Sequence, residues 1–179
     1  MLPIVQEGDP VLRQAAAPVP EELFGTPELQ KIVAEMDETL DAQLDGVALA
    51  APQVGIPYRI FLIRYDRMEP SPLEGEPERP ADLGVYINPE FVRASQRKID
   101  MEEGCLSVRG IYGSTKRHER YTMRARDASG NVFERGGGGI LAQAFQHETD
   151  HLNGILFIDH ASDMREVRRE DIDHEPKLS

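Results

Sequence analysis

Gln146-His147-Glu148-Thr149-Asp150-His151-Leu152-Asn153-Gly154 is the stretch from which the rest of the chain is read. Ile140, Leu141, Ala144, Phe145, Glu148, His151 and Leu152 follow a helical repeat, and Asn153-Gly154 is a helix stop. Two histidines four apart on a helix share one face, a turn from each other. Their imidazoles can bind one metal ion, and Glu148 can exchange protons with a water in the open coordination position. The plainer alternative is two satisfied surface histidines. Only 5 His occur in 179 residues, and two of them stand at this offset inside an apolar stripe. That favours the metal.

Such a site needs a third ligand. A further histidine after Gly154 is excluded, because Phe157 stands at its place in the frame His-Glu-x-x-His-x-x-Gly-x-x-His. Glu170 is available downstream, but in a charged tail with little apolar content to pin it. Upstream, Glu103-Gly104-Cys105-Leu106-Ser107 holds the single thiol of the chain. A thiolate is a strong ligand for zinc or ferrous iron, and Gly104 permits close approach. A lone cysteine is usually an inert buried hydrophobe. Here Glu103 and Ser107 make the segment too polar for plain core.

Around these segments the chain reads as one domain over residues 1–179, with a charged tail from about 164. Thr26-Pro27-Glu28 opens a helix whose apolar positions are Leu29, Ile32, Val33, Met36 and Leu40, with Gly46 at its exit. Pro3 to Pro20 is extended. Arg59 to Tyr65 is a buried strand, and Val85 to Asn88 is a strand stopped by Pro89. Tyr121 to Arg126 and Val132 to Arg135 pair across an Asp127–Asn131 turn. Gly136 to Gly139 reads as a flexible lead-in rather than a phosphate cradle, since no Lys-Ser/Thr follows. Met68 to Asp82 is a solvated acidic loop.

The net charge of −12 repels phosphate backbones and argues against strong autonomous nucleic-acid binding. The basic residues Arg109, Lys116, Arg117, Arg120, Arg124 and Arg126 read as a solvated strand face, although Asp150 has a candidate partner in Arg117. One cysteine forbids an intrachain disulfide. No apolar run reaches a membrane span, and the start lacks a signal peptide's charged and apolar regions. The expectation is a cytoplasmic protein without a membrane partner.

Three blocks together resemble the peptide deformylases: Gly46-Val47-Ala48-Leu49-Ala50-Ala51-Pro52-Gln53, Glu103 to Ser107, and Gln146 to Gly154. Gly8-Asp9-Pro10-Val11-Leu12-Arg13 is similar to that family's N-terminal signature. The resemblance runs from about Ile4 to about Asp159. It implies an α+β fold, with antiparallel sheets packed around a central metal-binding helix and an N-terminal helix. It implies removal of formyl from N-formylmethionine on new polypeptides, with formate released. Cys105, His147 and His151 would hold one divalent ion, Fe2+ in the cell and Zn2+ or Ni2+ as substitutes. Glu148 would be the general base and acid. Gln53 and the Leu106 N–H would steady the oxyanion. Gly46, Val47, Ala48, Leu49 and Gly104 would bind the substrate chain. The implied partners are N-formylmethionyl nascent polypeptides, with transient ribosome association.

Two positions depart from the family pattern. Ala48 stands where Gly is common, and its methyl crowds a substrate backbone or forbids a positive φ. Arg109 stands where Pro is common and puts charge near the mouth. Two rival readings remain: a peptidase with Glu170 as third ligand, and a metal-bearing module that binds acylated chains without turnover.

Overall fold

The protein is described by a computed structural model over residues 1–69 and 79–167. The middle of the acidic loop and the tail from 168, with Glu170, lie outside the described residues. Pro27–Asp41 forms helix α1, capped as its sequence predicts: Thr26 Oγ1 accepts the Leu29 N–H. There follow Ala48–Ala50 (β1), a 3-10 turn at Ala51–Val54, Ile60–Arg64 (β2) and Leu83–Ala94 (β3). Next come Lys98–Cys105 (β4), Val108–His118 (β5), Arg120–Arg126 (β6), Val132–Gly138 (β7), Gly139–Leu152 (α2) and Ser162–Glu166 (β8). Every ladder between these strands is antiparallel. One sheet has the order β1-β2-β3-β6-β7, the other β4-β5-β8.

The unalternating apolar run of β2 has a direct cause. Ile60 and Leu62 pack with Leu29, Met36 and Leu40 of α1, while Phe61 and Ile63 pack with Phe145 and Leu152 of α2. The large sheet therefore lies between the helices, and β2 is buried on both faces. Phe61 stacks on Tyr86 with centroids 4.8 Å apart, and Phe145 meets Tyr86 edge-on at 5.3 Å. Burying each such side chain contributes roughly 2–3 kcal/mol. A third cluster of Leu12, Val108, Leu156 and Phe157 lies beneath the small sheet. The helix carrying the histidine pair is thus packed among both sheets, as an α+β architecture requires.

Four expectations are corrected. Pro89 does not stop β3. Asn88 takes a positive φ of 49°, and the β3–β6 register shifts between Ile87 and Glu90, so the strand continues past the proline. Such a bulge relieves the ladder of the N–H that proline lacks. Gly136 to Gly138 are no loose lead-in but the end of β7, paired with Thr122, Tyr121 and Arg120. A Cβ on Gly136 would stand 2.6 Å from Thr122 Oγ1, and one on Gly137 2.5 Å from Leu141 Cδ2, so a larger residue there would require Thr122 or Leu141 to move. The charged stretch from about 164 begins inside a strand rather than a tail: β8 runs to Glu166 and pairs with β5 at Ile111 and Tyr112. Finally, Arg117 is buried, not solvated.

Candidate metal centre and active-site cleft

Helix α2 brings His147 and His151 to one face, with their Nε2 atoms 3.1 Å apart. β4 ends at Cys105, where the register shifts between Gly104 and Cys105 and the chain turns tightly into β5. That turn puts Cys105 Sγ 3.2 Å from His151 Nε2. One ligand atom from each of Cys105, His147 and His151 lies within 4.8 Å of the others. Two imidazole nitrogens and a thiol converging on one point suit a zinc- or iron-type ion. Among the described residues this is the cluster able to hold a metal.

The turn at Cys105 is pinned from several sides. Gln6 Nε2 donates to the Leu106 carbonyl at 3.0 Å, the Glu7 N–H to the Ser107 carbonyl at 2.7 Å, and the Ser107 N–H to Cys105 Sγ at 3.4 Å. Gln53, in the turn after β1, is 1% exposed. Its Oε1 accepts the Ala50 N–H at 2.8 Å. That fixes the amide's orientation, with Nε2 3.2 Å from Ser107 Oγ and 3.6 Å from Cys105 Sγ. A water-facing Gln53 is thereby excluded.

Behind the histidines stands Glu103, read from sequence only as a polar neighbour of the thiol. It is 3% exposed. His147 Nδ1 donates to its Oε1, Thr115 Oγ1 to its Oε2, and Arg117 to both oxygens through Nη2 and Nε. Arg117 Nη1 goes on to Asp150 Oδ2 at 2.7 Å, the pairing anticipated above. Burial disfavours charge on Glu103, but His147 and Arg117 outweigh it and hold the carboxyl well below the usual range. With Nδ1 committed to a carboxylate, His147 presents Nε2 to a metal, a recurrent outer-shell arrangement. The sequence signal was the alternation of Thr115 and Arg117 on one strand face. It became meaningful only once the register placed that face over Glu103.

Glu148 is buried, and its Oε2 has no hydrogen-bond partner. Burial pushes its pKa up to about 7. A carboxyl poised near neutrality can both take and return a proton.

A cleft of about 770 Å³ opens onto the cluster. Gly46, Val47, Ala48, Gln53, Gly104, Cys105, Leu106, His147 and Glu148 line it. Leu49 does not: its side chain is fully buried in the core against α1. Ala48 has no positive φ, so the backbone conflict foreseen for its methyl does not arise. Arg109 is at the cleft wall, as expected.

A thiol and two imidazoles gathered beside a buried, unpartnered carboxyl, in a cleft between two antiparallel sheets, define the class of metal-dependent hydrolases. Residues 1–167 match the family model described as polypeptide deformylase, and the chain belongs to that family. It is 41% identical over 166 residues to the peptide deformylase of Salinibacter ruber, covering 92% of this chain and 83% of that protein. It is 38% identical over 164 residues to that of Brucella suis, covering 91% and 86%. An actinonin-bound class I type b peptide deformylase from Acinetobacter baumannii superposes with a TM-score of 0.78 at 34% identity, over 90% of this chain and 99% of that one. The Thermotoga maritima peptide deformylase gives 0.76 at 36% identity, over 90% and 98%. The family's enzymes depend on a metal and remove the N-formyl group from nascent polypeptides.

Proposed function

We propose that this chain deformylates N-formylmethionyl polypeptides with Cys105, His147 and His151 as ligands to one divalent ion. The ion is ferrous iron in the cell, with zinc or nickel as substitutes. The observation that carries the proposal is the convergence of those three ligand atoms beside the unpartnered, buried Oε2 of Glu148. When bound, the ion supplies Lewis-acid polarisation of the formyl carbonyl and of water.

The chain's own groups do the rest. Glu148 Oε2 accepts a proton from the attacking water and returns it to the leaving amine nitrogen. Gln53 Nε2 and the Leu106 N–H donate to the oxygen on which charge grows, each worth roughly 3–4 kcal/mol of barrier if pre-aimed. The Arg64 N–H bonds the Val47 carbonyl, and Ala48 stands opposite Ile63. By antiparallel alternation the Ala48 N–H and C=O point to the open edge of β1, where an extended substrate can pair. Gly46, Val47 and Gly104 complete that lip. Residues 1–179 act as one domain in the cytoplasm, meeting their substrates at the ribosome in passing.

The test is formate release from formyl-Met-Ala by anaerobically prepared protein, with metal analysis on the same sample. Metal with turnover is expected, Cys105→Ala losing the metal and Glu148→Ala keeping it while turnover collapses. Metal-loaded protein that releases no formate overturns the proposal.

A further inference from the structure

The cleft carries a cation that the chemistry above does not use. Among the described residues, Arg109 is the one Arg or Lys lining it. The acids on the walls are Asp45, Glu102, Glu103 and Glu148. Glu103 and Glu102 are already bonded to Arg117 and Arg165.

Arg109 stands at the start of β5, on the Cys105 side. Its Nη2 donates to Gln43 Oε1 at 2.5 Å, and its Nη1 is 4.0 Å from Asp45 Oδ2. Gln43 and Asp45 belong to the opposite lip, between α1 and β1. The side chain, 42% exposed, therefore spans the mouth. Its close acceptor is a neutral amide, and its carboxylate neighbour is at the outer limit of an ion pair. A guanidinium bonds a carboxylate more strongly than an amide oxygen. A chain entering the cleft with a carboxylate thus offers Arg109 a better partner than the one it holds.

We propose that Arg109 is a specificity-determining residue for the deformylation reaction. Its guanidinium leaves Gln43 for an acidic side chain of the substrate, so formylated chains with Asp or Glu downstream of Met are preferred over those with Lys or Arg. This rests on the cleft being the substrate site. The overall charge of −12 opposes acidic substrates only at long range, where salt screens it.

The test compares kcat/KM of the metal-loaded protein on formyl-Met-Ala-Glu-amide, formyl-Met-Ala-Gln-amide and formyl-Met-Ala-Lys-amide, with the variable residue also moved one position either way. Wild type should favour Glu over Gln by about two- to five-fold at its best position, as a partly exposed ion pair allows, with Lys below Gln. The ratio should shrink toward one in ~0.5 M salt. Arg109→Ala should bring Glu and Gln level, and Arg109→Glu should reverse the order. Calorimetric titration with the deformylated product peptides should give the same ranking without turnover. Equal kcat/KM for all three peptides in wild type overturns the proposal, as does a Glu preference that survives Arg109→Ala. Either result leaves deformylation standing so long as the Gln peptide is turned over. No formate from any peptide overturns the reading of the cleft itself.

Discussion

A carboxylate 3% exposed survives as an anion only when cations meet it at close range, and Glu103 meets a guanidinium on both oxygens and an imidazole on one. Glu103→Gln keeps the shape and removes the charge. Arg117 is then left buried with Asp150 as its remaining acid. Breaking a buried pair in this way costs about 3–5 kcal/mol, to be read from urea denaturation. Metal affinity should fall about 10- to 100-fold because the His147 imidazole loses its charged acceptor, to be read by chelator competition. Unaltered affinity would remove Glu103 from the site. Glu148 predicts the opposite pattern. Its Oε2 has no partner to lose, so Glu148→Gln should keep the metal while turnover drops by about 10²–10⁴. Because its folded pKa, about 7, lies above the ordinary value of 4.5, ionisation is disfavoured in the folded chain. Relative to the Gln variant, the wild type should therefore lose stability as pH rises from 4.5 through 7. Denaturation of chelated protein at pH 5 and pH 8 checks it. The grouping of Cys105 with the two histidines was the favoured reading of the residues, with Glu170 left open, because helical spacing is local and the chain has a single thiol. Glu103 and Arg117 were not legible, because their meeting depends on the β4–β5 register, which pairs Glu103 with Gly113 and is encoded by no local pattern.

Elements tell the same story of local signals succeeding and tertiary ones staying silent. α1 announced itself through Thr26 and Pro27, and α2 through its apolar repeat and the Asn153-Gly154 stop. β3 did not. Its passage through Pro89 depends on Asn88, whose side chain accepts the Val19 N–H and donates to the Val19 carbonyl, contacts made with a segment far away in sequence. β8 was hidden for a related reason: an exposed edge strand of Ser, Asp, Met, Arg and Glu looks like a solvated tail until its partner is known. The end of α2 offers a sharper test. Gly154 has φ 74°, and a Cβ there would lie 2.7 Å from the Arg13 carbonyl oxygen. Since the obstacle is backbone, it cannot swing aside as Leu141 can beside Gly137. Gly154→Ala should destabilise by about 1–3 kcal/mol, against a smaller cost for Gly137→Ala, both measured by thermal unfolding.

On the scale of the whole molecule, the proposed ligand set joins the two sheets, for Cys105 belongs to the small one and the histidines to the helix packed on the large one. Metal binding to the folded chain is then folding free energy. At a free ion concentration 100 times Kd it adds about 2.7 kcal/mol. Chelation should lower Tm, re-addition of the ion should restore it, and Cys105→Ala should show neither response. A chelator-insensitive Tm would place the ion elsewhere. The chain order of these donors has a further consequence. Synthesis delivers the thiol well before the imidazoles, and the β5 edge awaits β8, which comes later still. During synthesis the Cys105 sulfur therefore has no imidazole partner until the segment through Leu152 has emerged. Capture of an ion by the proposed ligands thus waits on the synthesis of α2, and oxidation of Cys105 during that interval would block it.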